Sequence, residues 1–163
     1  MKALVVGGDG LLGRNLVEAI YEAGHDVVRT SRDALSDAFY LDLSRPIPVL
    51  PTCDVIYLCA AMSGFAKCEG NPLSYVVNVD APLEIARRRD AFPVYVSSDA
   101  VEFVSSTAYA RQKMQVELGI LMLGSAGGAV IRPGKFSQAN VASLCRLMID
   151  VGVNRKSGVH RWS

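Results

Sequence analysis

The chain has 163 residues, the length of one ordinary domain, and half of them are apolar, which is enough to bury a core without disulfides or metals. With 20% charged residues and a net charge of +1, a disordered tail and a nucleic-acid partner are not expected. The four cysteines form no CxxC pair and only two histidines accompany them, so we expect free thiols and no metal site. We predict one domain over residues 1–163, in the cytoplasm, with no signal peptide or membrane segment.

Short apolar runs alternate with helical patterns along the chain, which is typical of parallel strands joined by crossover helices. The predicted strands are Lys2–Val6, Asp26–Thr30, Asp54–Cys59, Pro93–Ser97 and Gly128–Ile131. The predicted helices run from Leu11 to about Ala23, from Pro72 to about Arg89, from about Thr107 to Leu123 and from Asn140 to Val151. The order predicts an α/β fold, a doubly wound parallel sheet of the Rossmann type with helices on both faces.

A glycine-rich turn joins the first predicted strand to the first helix. Gly7, Gly10 and Gly13 have the spacing G-x-x-G-x-x-G. The first glycine permits a sharp turn, the second lets a pyrophosphate approach the backbone, and the third lets the helix pack against the sheet. The helix start at Leu11 and Leu12 offers free N–H groups to phosphates. A tight turn without a ligand is the alternative, but the strand–turn–helix context favours a dinucleotide site.

The end of the second strand indicates which dinucleotide is bound. An acidic residue at this place accepts hydrogen bonds from the adenosine ribose, whereas an arginine favours its 2′-phosphate. Arg32, next to the hydroxyls of Thr30 and Ser31, predicts NADP, while Asp33 keeps NAD as an alternative. A solvated Arg32 without a ligand is the other interpretation.

Further motifs follow in order along the chain. They are Asp42-Leu43, Leu58-Cys59-Ala60-Ala61, Val77-Asn78-Val79, the segment from Val94 to Val101, Tyr109-Ala110-Arg111-Gln112-Lys113, and Ile131-Arg132-Pro133-Gly134. Together with the glycine turn they resemble the extended short-chain dehydrogenase/reductase superfamily. Within it, the pattern is similar to the NAD-dependent epimerase/dehydratase group and to dTDP-4-dehydrorhamnose reductase-like proteins.

The resemblance implies roles for single residues. The cofactor contacts it implies, added to Gly7, Gly10, Leu11, Leu12, Gly13, Ser31 and Arg32, are Asp42, Leu43, Ala60, Ala61, Asn78, Tyr109 and Lys113. It places the active-site hydroxyl on Ser98, and it makes Tyr109 and Lys113 the family's Tyr-x-x-x-Lys pair. It also implies a small-molecule substrate, with a nucleotide-linked sugar as one option.

Tyr109 and Lys113 are four residues apart on a predicted helix, so both side chains share one face. A free phenol has a pKa near 10, and a nearby ammonium together with an oxidised nicotinamide would lower it. Tyr109 would then be a general acid in reduction and a general base in oxidation. Taken alone, such a pair is more often a packed aromatic and a solvated cation; the neighbouring motifs favour a catalytic interpretation, in which Ser98 holds the substrate oxygen.

The chain also departs from the family pattern. Only ten residues separate Ser98 from Tyr109, and the segment after Phe136 leads almost directly to Asn140, so we expect the substrate domain to be reduced or absent. The first functional hypothesis is an NADP-dependent oxidoreductase that acts on a carbonyl or alcohol. The alternative is a non-catalytic regulatory or sensor protein that binds a dinucleotide.

The resemblance finally suggests how copies of the chain could associate. Relatives often dimerise through two helices, which correspond here to those beginning near Pro72 and Thr107. The apolar end of the second helix, from Leu118 to Leu123, agrees with a homodimer, although burial in the monomer would explain the same residues.

Overall fold

The computed structural model describes residues 1–87, 90–103, 106–124 and 127–163. Its seven strands are β1 (Lys2–Val6), β2 (Asp26–Ser31), β3 (Phe39–Tyr40), β4 (Val55–Leu58), β5 (Phe92–Val96), β6 (Ala129–Pro133) and β7 (Gly158–Trp162). They form one sheet in the order β3-β2-β1-β4-β5-β6-β7, and every neighbouring pair is parallel. This is the doubly wound arrangement that the sequence predicts.

Helices cover both faces of the sheet. They are α1 (Leu11–Glu22), α2 (Phe65–Cys68), α3 (Pro72–Tyr75), a π-helical stretch (Val76–Asp80), α4 (Ala81–Ala86), α5 (Ala100–Phe103), α6 (Ala108–Leu121) and α7 (Val141–Val153). One apolar core packs α1 and α7 against the sheet, with Leu16 and Met148 at its centre. The other packs α4 and α6 against the opposite face, with Ile85 and Ile120.

The strand order places a crevice at one edge of the sheet. The chain runs outward from β1 to β2 and β3 on one side, and from β4 to β7 on the other. Helices that leave β1 and β4 therefore lie on opposite faces, and a gap opens beyond the carboxyl ends of these strands. In open α/β sheets this is where ligands bind.

Most predicted elements agree with the structure to within one or two residues. The exception is the long helix predicted from Pro72, which contains the π-helical stretch and has its last described helical residue at Ala86; its predicted end near Arg89 lies outside the described residues. The strand predicted to stop at Ile131 continues through Arg132 to Pro133. Three short elements, β3, α2 and α5, have no counterpart in the sequence prediction, and β7 corresponds to the terminal segment from Gly158 to Ser163, which resembles a late strand of the family.

Candidate dinucleotide groove and active site

The glycine turn has the geometry that its spacing predicts. Gly7 has φ +88°, a conformation that side chains rarely adopt, and a Cβ on Gly7 would lie 2.8 Å from Ala60. A Cβ on Gly13 would lie 2.0 Å from the Gly7 carbonyl oxygen, so only glycine permits this approach of α1 to the turn. By contrast, a Cβ on Gly10 would meet only that same oxygen, at an ordinary 3.6 Å.

The start of α1 faces the crevice without a side-chain cap. Gly10 is the N-cap residue, no side chain accepts a hydrogen bond from the first amides, and no acidic residue lies in the first turn. Helix amides left without a partner form a positive end that favours anions. These residues fit the pyrophosphate of a dinucleotide, because a phosphate oxygen can supply the acceptors that the chain does not provide.

The crevice is a groove with a volume of about 640 Å³ that runs from this turn to α6. Thirteen of the residues assigned above to the site line it: Gly7, Gly10, Leu11, Leu12, Gly13, Ser31, Arg32, Asp42, Leu43, Ala60, Ala61, Tyr109 and Lys113. Ser98 and Asn78 do not line it. The groove therefore joins a phosphate-binding turn at one end to the tyrosine and lysine at the other.

At the β2 end of the groove, Arg32 is exposed and Ser31 is buried. The Thr30 hydroxyl accepts a hydrogen bond from the Gly7 amide at 3.1 Å, so this side chain holds the glycine turn. Asp33 is not among the groove residues; its amide donates to Ser31 Oγ at 2.9 Å and its carboxylate accepts from the Leu35 amide. Arg32 is thus the charged side chain that β2 presents to the groove.

Asp42 lies across from Arg32. Its carboxylate accepts hydrogen bonds from the Ser44 hydroxyl at 2.7 Å and the Ser44 amide at 2.9 Å. These bonds, together with the nearby charges of Arg45 and Arg32, hold the pKa of Asp42 below its usual value. Asp42 therefore stays ionised while it shapes the loop that closes this side of the groove.

Asn78 holds the loop after β4 from beneath the groove. Its Oδ1 accepts from the Met62 amide at 2.7 Å, and its Nδ2 donates to the Met62 carbonyl at 3.0 Å and to Gln112 Oε1 at 2.9 Å. Asn78 lies in the π-helical stretch, a type of irregularity that often occurs at functional sites. Asn78 thus holds Met62, which lines the groove, and its role there is indirect.

At the reacting end, Tyr109 and Lys113 share one face of α6, as their spacing predicts. Lys113 is only 4% exposed; its Nζ donates to the Val96 carbonyl at 2.8 Å and lies 5.8 Å from the Tyr109 ring centroid. The Tyr109 ring packs edge-to-face on Phe65, with 5.8 Å between centroids. The Ser98 side chain lies near enough to the Tyr109 phenol to lower its pKa, while Ser98 Oγ donates to Asp99 Oδ1 at 3.3 Å and accepts from the Ala100 amide at 3.1 Å. The structure therefore brings Ser98, Tyr109 and Lys113 together.

The titration of this cluster differs from the sequence expectation. Burial raises the pKa of Tyr109, and the hydrogen bond with Ser98 only opposes that rise. Burial also lowers the pKa of Lys113 to about 8, although nearby Cys59 and Cys68 act in the other direction. Because the Lys113 ammonium is bonded to a backbone carbonyl, it does not pair with the phenol. Tyr109 is protonated at neutral pH, which suits a general acid.

Sequence reasoning missed other residues of the groove: Cys59, Met62, Ser63, Lys67, Val96, Ser97 and Phe136. Ser97 is the most informative, because it is 4% exposed and its Oγ has no hydrogen-bond partner. A buried hydroxyl without a partner is unfavourable unless a ligand or water satisfies it. The Ser97-Ser98 pair could have indicated two hydroxyls at this strand end, but only the second one was assigned.

No three His, Cys, Asp or Glu side chains among the described residues lie close enough together to hold a metal ion. None of the described helices combines the length and apolar character needed to cross a membrane. Cys59, Cys68 and Cys145 are free thiols.

Fold and site define the chain as a Rossmann-type α/β protein with a candidate dinucleotide groove, and comparison with known proteins is more specific. Residues 1–115 match the family model described as the RmlD substrate binding domain. Since this match covers more than half of the chain, the protein belongs to that family. No curated protein sequence matches the chain significantly.

Solved structures agree with this assignment at the level of the fold. A dTDP-4-dehydrorhamnose reductase from Clostridium acetobutylicum is 21% identical, with a TM-score of 0.79 over 100% of this chain and 74% of that one. The same enzyme from Bacillus anthracis, solved with NADP, is 17% identical, with a TM-score of 0.78 over 99% and 74%. A short-chain dehydrogenase/reductase from Brucella ovis, solved with a partially ordered NAD, is 19% identical, with a TM-score of 0.80 over 99% of both chains. The resemblance to the short-chain dehydrogenase/reductase superfamily and its dTDP-4-dehydrorhamnose reductase-like members is confirmed.

Proposed function

We propose that this protein is an NADP-dependent oxidoreductase that reduces or oxidises a carbonyl or alcohol group of a small molecule. The observation that carries the proposal is the single groove that begins at the uncapped start of α1 and ends at Tyr109 and Lys113. The family and the compared structures, which are reductases and a dehydrogenase/reductase, agree with an enzyme of the oxidoreductase or epimerase type.

The choice of NADP rests on charge at the β2 end of the groove. Arg32 faces the groove there, whereas Asp33 is engaged in its own turn. A guanidinium recognises a 2′-phosphate by paired, charge-assisted hydrogen bonds. One of the compared structures contains NADP and another contains NAD, so the choice of NADP for this chain rests on Arg32.

When bound, the nicotinamide supplies the hydride chemistry. The chain's own residues orient the substrate and move the proton. The Ser98 hydroxyl binds the substrate oxygen, and Tyr109 Oη gives its proton to that oxygen in reduction or accepts it in oxidation. Buried Lys113 joins α6 to the end of β5 through its hydrogen bond to the Val96 carbonyl. This bond holds the Lys113 ammonium group at one position in the site.

Titration with NADPH and NADH, followed by cofactor fluorescence, tests the cofactor proposal. We expect Arg32→Gln to weaken NADPH binding about tenfold, equivalent to one charge-assisted contact, and to leave NADH binding unchanged. Arg29→Gln is the matched control, because Arg29 does not line the groove and its guanidinium is paired with Asp9 and Asp37. Equal losses for both cofactors, or for both variants, would contradict the assignment of Arg32.

A nucleotide-linked 4-keto sugar is the first substrate class to test, since two of the compared enzymes are named for dTDP-4-dehydrorhamnose. Consumption of NADPH with such a sugar, and its loss in Tyr109→Phe, would establish catalysis. The sensor alternative is favoured by the ten residues between Ser98 and Tyr109. It predicts tight NADPH binding with no turnover on any carbonyl.

We also propose that two copies associate through α3, the π-helical stretch and α6. Each of these three elements exposes large apolar side chains, among them Leu73, Val76, Leu118 and Leu121. The Leu118 side chain is 56% exposed. An exposed patch of this kind is typical of a protein interface. Sedimentation of the wild type as a dimer and of Leu118→Glu as a monomer would support this arrangement; a monomeric wild type would contradict it.

A further inference from the structure

Arg132 connects two parts of the candidate active site. It lies in β6, and its guanidinium bonds Glu117 through two nitrogens, Nε at 2.9 Å and Nη2 at 2.5 Å. The remaining nitrogen, Nη1, donates to Glu102 at 2.9 Å. One side chain thus bonds two carboxylates at once, and Glu117 is buried.

The two carboxylates belong to the two segments that carry the reacting side chains. Glu117 is one helical turn after Lys113 on α6. Glu102 lies on α5, the short helix that begins directly after Ser98 and Asp99. The Ser98 Oγ accepts a hydrogen bond from the Ala100 amide at 3.1 Å, so it is fixed to the start of α5.

We propose that Arg132 is a positioning residue: it holds α5 and α6 at the separation that brings the Ser98 and Tyr109 hydroxyls together. This proposal rests on the function proposed above. Neither of its carboxylate partners touches the groove. Arg132 therefore acts on the site through the two helices.

The chemistry of the site requires an arginine. A guanidinium presents several donors in a rigid fork and can pair with one carboxylate through two nitrogens while a third bonds another. A lysine ammonium is a point charge without this geometry. Arg161 of β7 also donates to Glu102 at 2.9 Å, so two guanidinium groups balance the two carboxylates. Hydrogen bonds from Arg132 and Arg161 hold the pKa of Glu102 below its usual value, which keeps the network ionised.

The contact between Ser98 and Tyr109 provides a readout that needs neither substrate nor cofactor. Hydrogen bonding with Ser98 opposes the rise in the Tyr109 pKa, and the charged or titratable groups around the phenol are Cys68, Tyr95, Asp99 and Lys113. If α5 moved away from α6, this bond would lengthen and the pKa of Tyr109 would rise. The direct electrostatic effect of removing the negative charge of Glu102 would be the opposite, a lower pKa of Tyr109.

The test follows the pKa of Tyr109 by ¹³C NMR with Cζ-labelled tyrosine, and Tyr109→Phe assigns the signal. We expect Ser98→Ala to raise this pKa by about 1, the effect of losing one hydrogen bond to a charged group. Glu102→Ala and Arg132→Lys should raise it toward the same value. Glu102→Ala leaves the buried Arg132–Glu117 pair intact, so it is expected to fold even if Arg132 variants do not.

Two controls make the result decisive. Arg29→Gln removes an arginine that also bonds two carboxylates, but far from α5 and α6, and should leave the pKa of Tyr109 unchanged. The double variant Ser98→Ala/Glu102→Ala should show no further rise over Ser98→Ala. An unchanged pKa of Tyr109 in Glu102→Ala and Arg132→Lys, or a full additional rise in the double variant, would overturn the proposal. Because no cofactor is used, this outcome is separate from a failure to bind NADPH.

Discussion

The two ends of the groove are built in different ways. At the glycine turn the backbone itself forms the site: Gly7 and Gly13 allow a close approach, and the amides of α1 face the groove. At the reacting end, the site is formed by Ser98 and by side chains from α5, α6 and β6, which include Tyr109 and Arg132. The first end depends on a few residues that are near in sequence, and the second depends on long-range contacts.

The largest effect is expected at the glycine turn. Gly13→Ala places a Cβ 2.0 Å from the Gly7 carbonyl oxygen, so α1 must shift away from the sheet. We expect a loss of about 3 kcal/mol or more in the free energy of unfolding, together with loss of dinucleotide binding. Urea unfolding and NADPH titration would measure both.

Gly10→Ala is the matched control for this turn. Its Cβ meets only an ordinary 3.6 Å contact, so the change in stability should not exceed about 1 kcal/mol, the difference between glycine and alanine at a helix N-cap. The added methyl group should nevertheless weaken NADPH binding, because a pyrophosphate must approach this backbone. Equal stability losses in both variants would contradict the backbone account of this end.

At the reacting end, Tyr109→Phe should separate chemistry from binding. A positioned general acid contributes about 10²- to 10⁴-fold to the rate, so we expect turnover of the carbonyl substrate to fall by at least about 100-fold. NADPH affinity should change little, since the ring and its contact with Phe65 remain. Stopped-flow rates and fluorescence titration give the two quantities; a parallel loss of both would show that Tyr109 is only a binding residue.

Lys113→Met should stabilise the protein while it impairs the site. Burial lowers the pKa of Lys113 to about 8, so below this pH the folded chain carries an unfavourable buried charge that methionine removes. The gain is of the order of 3 kcal/mol near pH 7, by the difference between the folded and unfolded pKa. Between pH 8 and 10.5 the unfolded wild type binds more protons than the folded wild type, so the stability of the wild type rises with pH. The difference in stability between Lys113→Met and the wild type therefore decreases over this range.

Unfolding at several pH values would check this behaviour, with Lys67→Met as the control at an exposed lysine of the same groove. A constant difference between the wild type and Lys113→Met from pH 7 to 10.5 would show that the buried charge is not its cause.

The smallest effect is expected for Ser97→Ala. The Ser97 Oγ has no partner, so its removal should leave the free energy of unfolding unchanged or raise it by up to about 1 kcal/mol. If the hydroxyl bonds a ligand in the groove, NADPH or substrate binding should weaken about fivefold. A stability loss with unchanged binding would mean that the hydroxyl has a structural role.

Sequence patterns predicted the backbone-built end almost completely. The glycine spacing, the strand–turn–helix order and Arg32 depend on neighbours within about thirty residues, and local patterns report such contacts well. The alternation of strands and helices likewise predicted the doubly wound sheet. The π-helical stretch around Asn78 was missed; the Asn78 side chain there bonds Met62, 16 residues earlier, which a local pattern does not report.

For the reacting end, the sequence predicted which side chains lie together but not how they are buried and hydrogen-bonded. Spacing placed Tyr109 and Lys113 on one face of α6, but it could not show that Lys113 bonds the Val96 carbonyl or that burial raises the pKa of Tyr109 in the protein without a cofactor. The link from Glu102 to Arg132 also joins residues far apart in sequence. Such contacts depend on how elements pack, which no local pattern encodes.

A crystal structure of the protein with NADPH tests the central claim most directly, that one groove binds the dinucleotide and brings it to Tyr109. The account predicts ligand density along the groove, from the amides at the start of α1 to the face of α6 that carries Tyr109 and Lys113, with Arg32 at the adenosine end. Density in another cavity, such as the one between α1 and α7 lined by Glu18 and Arg146, would contradict the claim.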